Sequence, residues 1–162
     1  MRKRIIPDLV PPGVPSAESD WLDLELLATV EVTSEDPAHP VEAALVPHGD
    51  GGIGWRAGGP GAQTLRLVFD APTSVRRVRL VFREDVAERT QEFVLRWSGD
   101  GGRSYHEVVR QQYNFSPPGT AEEVEEYRVN LNGVTTLELR IVPNIGGGDA
   151  IASVERMQVA GG

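Results

Sequence analysis

Apolar residues recur at every second position in several short segments, and this period of two constrains the fold more than any other feature of the chain. Side chains two residues apart lie on the same face of a β-strand, so each segment predicts a strand with one face turned toward a core. The clearest apolar rows are Leu65, Leu67 and Phe69; Val78, Leu80 and Phe82; Phe93, Leu95 and Trp97; and Leu137, Leu139 and Ile141. Weaker candidates are residues 41–46, 105–109 and 124–131, and a last strand through Ile151, Met157 and Val159.

Turn-forming residues separate these segments. Glycine, proline, asparagine and aspartate cluster in Asp70-Ala71-Pro72, Gly99–Gly102, Ser116–Gly119 and Asn132-Gly133. Together with the alternation, these clusters predict about eight or nine short strands, each with one apolar face. Two antiparallel sheets packed face to face bury such faces, so we expect an all-β fold, an antiparallel jelly-roll β-sandwich.

The chain is predicted to contain one domain preceded by an arm. Residues 1–20 hold four prolines and little periodicity, which favours an extended N-terminal arm, and the sandwich domain is expected to cover residues 21–162. Residues 20–27 fit either a short helix, capped by Ser19 or Asp20, or the beginning of a strand.

Neither a membrane span nor a signal peptide is predicted. No segment approaches the ~18 consecutive apolar residues of a spanning helix, and no apolar run follows the basic residues Arg2, Lys3 and Arg4. We therefore expect a cytoplasmic protein with no membrane partner.

The charge balance argues against a nucleic-acid partner. The net charge is −8, and a phosphate backbone requires neutralising cations. One basic stretch, formed by Arg76, Arg77, Arg79 and Arg83, fits either a solvated polar face of a strand or an anion-binding stripe. The chain has no cysteine, which excludes disulfides and thiolate chemistry.

No catalytic motif is present, and we predict that the protein is not an enzyme. The three histidines do not have the spacing of a zinc site, and no serine lies in a nucleophile elbow. Glu122, Glu123, Glu125 and Glu126 form an acidic run. A glycosidase needs two carboxyls facing each other across a bond, which neighbours on one strand do not provide. We interpret the run as a solvated strand edge.

Two segments carry residue types suited to sugar recognition, namely 84–91 and 110–119. An aromatic face packs against apolar C–H groups, while planar amides and guanidinium groups hydrogen-bond to hydroxyls. From these segments we predict a shallow ligand site made of Arg89, Gln112, Tyr113 and Asn114. The alternative is that Tyr113 and Phe115 only close the end of the sandwich. Trp55 and Trp97 are assigned to the core.

Several local patterns resemble discoidin-like domains, the type C domains of coagulation factors and their bacterial carbohydrate-binding relatives. The resemblance covers roughly residues 24–160 and is carried by four segments: Ala28–Glu35, Gly54–Leu65, Gln91–Gly101 with its Ser98-Gly99-Asp100-Gly101 turn, and Ala152–Glu155. It implies a galactose-binding-domain-like sandwich. It also implies a structural Ca²⁺ ion, for which Glu155 matches the family's late glutamate and Asp50 stands near the position of its early aspartate.

The sequence therefore leads to two hypotheses about function. The first is a non-catalytic binding module for carbohydrate, which uses loops at one end of the sandwich. The alternative is a protein-interaction or scaffold domain, in which the same loops contact a protein partner.

Overall fold

The computed structural model describes residues 20–46 and 54–161, so the predicted arm lies outside the described residues apart from Asp20. In chain order the elements are α1 (Leu24–Leu27), β1 (Ala28–Val32), α2 (Glu42–Leu45), β2 (Trp55–Arg56), β3 (Gln63–Arg83), β4 (Arg89–Ser98), β5 (His106–Phe115), β6 (Glu122–Val142), β7 (Ser153–Val154) and β8 (Arg156–Ala160).

Two long strands, β3 and β6, organise the fold. Each has 21 residues, and the two pair antiparallel, with register shifts between Val68 and Arg77. Such irregularities bend a strand and let it pass from one sheet into another. The apolar rows at 65–69 and 78–82 therefore belong to one bent strand, and the prediction of a separate strand for each was wrong. Asp70-Ala71-Pro72 and Asn132-Gly133 lie at the bends rather than in loops between strands.

The bends divide the molecule into two layers. β1, the first half of β3, the second half of β6, β4 and β5 form the larger sheet in that order. In the smaller sheet the second half of β3 pairs with the first half of β6 on one side and with β8 on the other. Ring contacts join the layers: Phe93 of β4 lies 5.1 Å from Phe82 of β3 and 6.5 Å from Tyr127 of β6 between ring centroids. The predicted antiparallel β-sandwich is confirmed.

The core lies between these layers. The predicted apolar rows face inward, and most of their side chains are fully buried. Trp55 is also fully buried, as predicted from the sequence. Its indole N–H donates to the Ser34 carbonyl oxygen at 3.0 Å. Trp97 is half-buried at the margin of the core, where it packs on His106.

Both helices are single turns outside the sheets. The helix that was one of the two alternatives for residues 20–27 forms as α1, and its cap is Asp23, whose carboxylate accepts from the Leu26 amide. α2 occupies the segment for which a weak strand was predicted, and that prediction was wrong. Its buried residues Ala44 and Leu45 and its N-cap, the buried Val41, follow helical spacing, because positions i, i+3 and i+4 share one face of a helix.

The two ends of the sandwich differ. At the end that we call the folded end lie the bends of β3 and β6, the turn after Ser98, and an antiparallel bridge between Trp21 and Ala160. At the other, the loop end, lie segments 84–88, 116–121 and 143–152. Among the described residues no helix is both long and apolar enough to cross a membrane.

Candidate functional site

A depression of about 400 Å³ opens at the loop end, and we call it the loop-end pocket. It lies between the β3–β4 loop and the segment after β6, above the short pair β2–β7. Its lining residues are Arg56, Arg83, Glu84, Asp85, Val86, Ala87, Asp149, Ala150, Ile151 and Ser153. The size suits a small ligand, since pockets of roughly 300–1,000 Å³ hold most small molecules.

Polar side chains of β2, β3, β7 and the segment after β6 line this pocket. Arg56 and Ser153 are partners in the β2–β7 pairing, so both side chains lie on the same face of this short ladder. The Arg56 side chain is exposed and makes no hydrogen bond with any described residue. Arg83 ends β3 and forms ion pairs with Glu122 at 2.8 Å and with Asp85 at 3.5 Å. Asp149 is exposed on the opposite wall.

The Glu84 carboxylate holds the shape of the β3–β4 loop. It accepts from the amides of Val86 at 3.0 Å and Ala87 at 3.2 Å, and from Arg89 Nε at 2.7 Å. Burial opposes ionisation, but the Arg89 guanidinium and the two amides outweigh it, so the pKa of Glu84 is lowered. The loop is therefore tied down at its base and presents Val86, which is 89% exposed, at its tip.

Arg89 does not lie at the surface, where its predicted role would place it. It begins β4 with its side chain facing inward and only 2% exposed. Its guanidinium donates to the Pro143 carbonyl oxygen at 2.8 Å and to Gln91 Oε1 at 3.1 Å, and stacks on Phe115 at 4.7 Å. Arg89 thus connects the loop-end segments from inside the sandwich, and its guanidinium is not exposed to a ligand.

The other three predicted residues also lie apart from the pocket. Gln112 and Asn114 face outward on β5, where Gln112 donates to Glu92 and Asn114 accepts from Thr90. Tyr113 packs on Phe115 at 5.0 Å, and its hydroxyl donates to the Glu122 carbonyl oxygen at 2.9 Å. Alternate residues of a strand point to opposite faces, so these side chains and Arg89 do not converge on one ligand.

The two loops chosen from the sequence do meet. The Ser116 hydroxyl donates to Glu88 at 2.9 Å, and the Glu84 amide donates to the Ala121 carbonyl oxygen at 2.8 Å. Sequence reasoning missed Arg56, Asp149 and Ser153, which line the pocket beside the first of these loops. Strands of two residues such as β2 and β7 carry no detectable periodicity, so nothing in the sequence indicated their pairing.

The described residues do not by themselves form the implied Ca²⁺ site. Glu155 lies 3.6 Å from Arg83 Nε, a cation, and Asp50 is outside the described residues. No group of three or more histidine, aspartate or glutamate side chains that could hold a metal occurs in the part of the chain that the structure describes. Calcium requires ~6–8 oxygen ligands, so structural calcium stays a prediction from the resemblance.

The acidic run on β6 is not uniformly solvated, which corrects the sequence interpretation. Glu122 and Glu126 face outward and pair with Arg83 and Arg77. Glu123 faces inward and is buried, with Gln91 Nε2 as donor to one carboxylate oxygen. Burial, reinforced by the neighbouring Glu125 carboxyl, raises the pKa of Glu123 to about 8. The glutamates of the run therefore face outward or inward according to their position along the strand, as the side chains of any strand do. Four residues of one type gave no sequence signal for this alternation.

Comparison with known proteins assigns the chain to a family and identifies solved structures with a similar fold. The sequence matches the F5/8 type C domain over residues 16–157, and no curated protein matches the chain. Among solved structures, the fold is similar to CBM32-3 from a family 31 glycoside hydrolase of Clostridium perfringens, with 16% identity, a TM-score of 0.65, and coverage of 91% of this chain and 98% of that one. It is also similar to the family 32 carbohydrate-binding module of NanJ from the same organism in complex with galactose, with 13% identity, a TM-score of 0.61, and coverage of 86% and 97%. The chain belongs to the F5/8 type C domain family.

Proposed function

We propose that this domain binds carbohydrate without catalysing a reaction, and that it holds the sugar in the loop-end pocket. The observation that carries the proposal is the pocket itself, an open depression of about 400 Å³ with two guanidinium groups, three carboxylates and a hydroxyl in its wall. Membership of the F5/8 type C family and a sandwich shared with carbohydrate-binding modules, one of them in complex with galactose, support it.

The chemistry of the lining residues suits sugar hydroxyls. Arg56 donates hydrogen bonds, Asp149 accepts them, and Ser153 does both, so a vicinal pair of hydroxyls finds partners of each kind. The exposed Val86 offers apolar contact for C–H groups at the rim. The described lining contains no aromatic ring, and each polar contact replaces a contact with water, so affinity is expected in the ~mM to µM range.

The distribution of carboxyl groups supports a binding role over hydrolysis. A glycosidase needs a carboxylic acid with a raised pKa beside the scissile bond. Among the described residues Glu123 has a pKa raised to about 8, but it is buried between the sheets and is not among the lining residues.

The test is a glycan array followed by calorimetric titration of the sugars that bind. Arg56→Ala and Asp149→Ala are expected to weaken binding by about tenfold or more, because each removes a charged hydrogen-bonding group. Both side chains are exposed, so melting temperatures should hardly change. The matched control is Arg103→Ala, an exposed arginine in the turn after β4 at the folded end.

Unchanged binding by both pocket variants would overturn the assignment of the site. A protein that binds no glycan but forms a stable complex with another protein, not competed by free sugar, would instead support the scaffold hypothesis.

A further inference from the structure

The outer face of the larger sheet carries rows of charged side chains that run across its strands. In one row Arg66 of β3 pairs with Glu31 of β1 at 3.2 Å and with Glu138 of β6 at 2.9 Å. Glu138, only 3% exposed, also accepts from Arg96 Nε of β4 at 2.9 Å. This row alternates in sign, so its charges largely compensate one another.

In the next row toward the loop end, two positive charges lie on either side of an apolar residue, and the row contains no negative charge among the described residues. Val94 of β4 pairs with Arg140 of β6 on one side and with Arg110 of β5 on the other, so the two arginines flank it. Arg110 forms ion pairs with Glu92 at 2.9 Å and with Glu107 at 3.1 Å. Arg140 is exposed and forms neither an ion pair nor a side-chain hydrogen bond with any described residue. One guanidinium therefore faces solvent without a counterion from the described chain.

These side chains enclose a depression of about 310 Å³, which we call the sheet-face depression. Its lining residues are Glu92, Val94, Arg96, Arg110, Arg140 and Val142. Val94 and Val142 supply an apolar floor, and three arginines stand around it. The Cα atoms of Arg110 and Arg140 are separated by two strand spacings, about 10 Å, a gap that two arginine side chains span together.

We propose that the sheet-face depression is a second binding site, whose ligand is a sugar unit bearing an oxyanion, either a uronate or a sugar sulfate. A planar guanidinium donates paired hydrogen bonds to such an oxyanion, which makes arginine the favoured side chain for this recognition. The valine floor receives the C–H face of a pyranose ring. Glu92, held by Arg110 and Gln112, accepts from ring hydroxyls.

Local charge complementarity selects this ligand against neutral sugars. The protein as a whole carries a charge of −8 and repels anions over most of its surface. The uncompensated Arg140 makes this depression a local exception. The loop-end pocket shares no lining residue with it, so the second site does not depend on the proposed function of the first.

The experiment titrates the full chain with digalacturonate, galactose 6-sulfate, galactose and sodium sulfate, observed by backbone amide NMR shifts. We expect both anionic sugars to shift amides of β4, β5 and the second half of β6, with affinity falling as salt is added. Arg140→Ala should weaken this binding by about tenfold or more, since it removes a charged hydrogen-bonding partner. Arg128→Ala is the matched control, an exposed arginine on the other half of the same strand.

Three results would overturn the proposal. The first is equal affinity of wild type and Arg140→Ala for both anionic sugars. The second is shifts confined to residues of the loop-end pocket, which would assign the anionic sugar to that pocket and leave its proposed function standing. The third is sodium sulfate binding as tightly as galactose 6-sulfate while digalacturonate does not bind, which would show a site for a free anion and not for a sugar. Loss of galactose binding in Arg56→Ala, with retained uronate binding, would support two separate sites.

Discussion

At the scale of single residues, Arg89 shows how a side chain suited to ligand binding can serve the scaffold instead. Its buried guanidinium contacts Glu84 in the β3–β4 loop, Pro143 after β6 and Phe115 at the end of β5. Two of these elements, the β3–β4 loop and the segment after β6, line the loop-end pocket. Arg89 is therefore a positioning residue, and its effect on a ligand is expected to pass through the segments that it joins.

Removing this side chain should destabilise the protein strongly. Arg89→Ala leaves the Glu84 carboxylate, which is only 18% exposed, without its cationic partner, and breaking a largely buried pair costs about 3 kcal/mol. Arg89→Lys should fall between wild type and alanine, because lysine keeps the charge but not the planar fork of donors. Urea unfolding monitored by tryptophan fluorescence measures both.

The control for Arg89 is Arg110→Ala, which breaks two ion pairs of an exposed arginine, with Glu92 and with Glu107. Exposed ion pairs contribute less than about 1 kcal/mol. Equal losses of unfolding free energy in the two alanine variants would contradict the role given to Arg89.

Glu123 is the residue that should make stability depend on pH. Its pKa is raised to about 8 in the fold from an ordinary value of 4.5, so between these values the folded state holds a proton that the unfolded state releases. The contribution of this group to stability therefore declines as pH rises through the window from 4.5 to about 8. One of its carboxylate oxygens has no hydrogen-bond partner, so the charged form is poorly solvated there.

Glu123→Gln removes the titration while keeping an acceptor for Gln91. The variant should melt close to wild type at pH 5 and above wild type at pH 8.5, as measured by differential scanning calorimetry. Glu126→Gln, which alters an outward-facing carboxylate on the same strand, is the control. A Glu123 variant with the same pH profile as wild type would show that the carboxylate is already ionised in the fold.

At the scale of elements, the bends of β3 and β6 decide how the strands are shared between the sheets. On β6 the bend includes Gly133, whose φ of +67° lies in the left-handed region. A Cβ atom placed there meets no other atom within 4 Å, so any penalty for a larger residue comes from the backbone conformation alone. L-residues pay about 1–2 kcal/mol for that conformation.

Gly133→Ala should therefore lower the free energy of unfolding by about 1 kcal/mol without changing the fold. Gly59→Ala is the comparison, because its Cβ would also meet open space and its φ is not in the left-handed region. That substitution should be neutral or slightly stabilising, since alanine restricts the unfolded chain. Chemical denaturation distinguishes the two, and equal effects would mean that the bend does not depend on the conformation of Gly133.

The turn after β4 is an element that the sequence did indicate. Within the Ser98-Gly99-Asp100-Gly101 segment, the Asp100 carboxylate accepts from the hydroxyls of Ser98 and Ser104 and from the Ser104 amide. Those hydrogen bonds, with that of the Ser104 hydroxyl largest, lower the pKa of Asp100. Such a turn is local in sequence, which explains why residue types alone predict it.

At the scale of the whole molecule, the sequence predicted the fold class but not the pocket. Alternation at residues such as Leu65 and Phe93 reports which face is buried, and burial of those faces is what the sandwich requires. It does not report that β3 continues through Asp70-Ala71-Pro72, because a bend and a turn use the same residue types. Likewise the placement of Arg56 next to Ser153 depends on the tertiary pairing of two very short strands.

The bridge between Trp21 and Ala160 has a consequence for how the domain can be carried by other proteins. Partners in an antiparallel pair lie about 5 Å apart, so the described chain enters and leaves the sandwich at almost the same point. If this domain were inserted into a surface loop of a host protein, the two ends of that loop would be held about 5 Å apart. The loop-end pocket would then face away from the host at a distance equal to the length of β4, about 30 Å. The domain is therefore suited to transplantation into a surface loop, where neither fold has to open to accommodate the other.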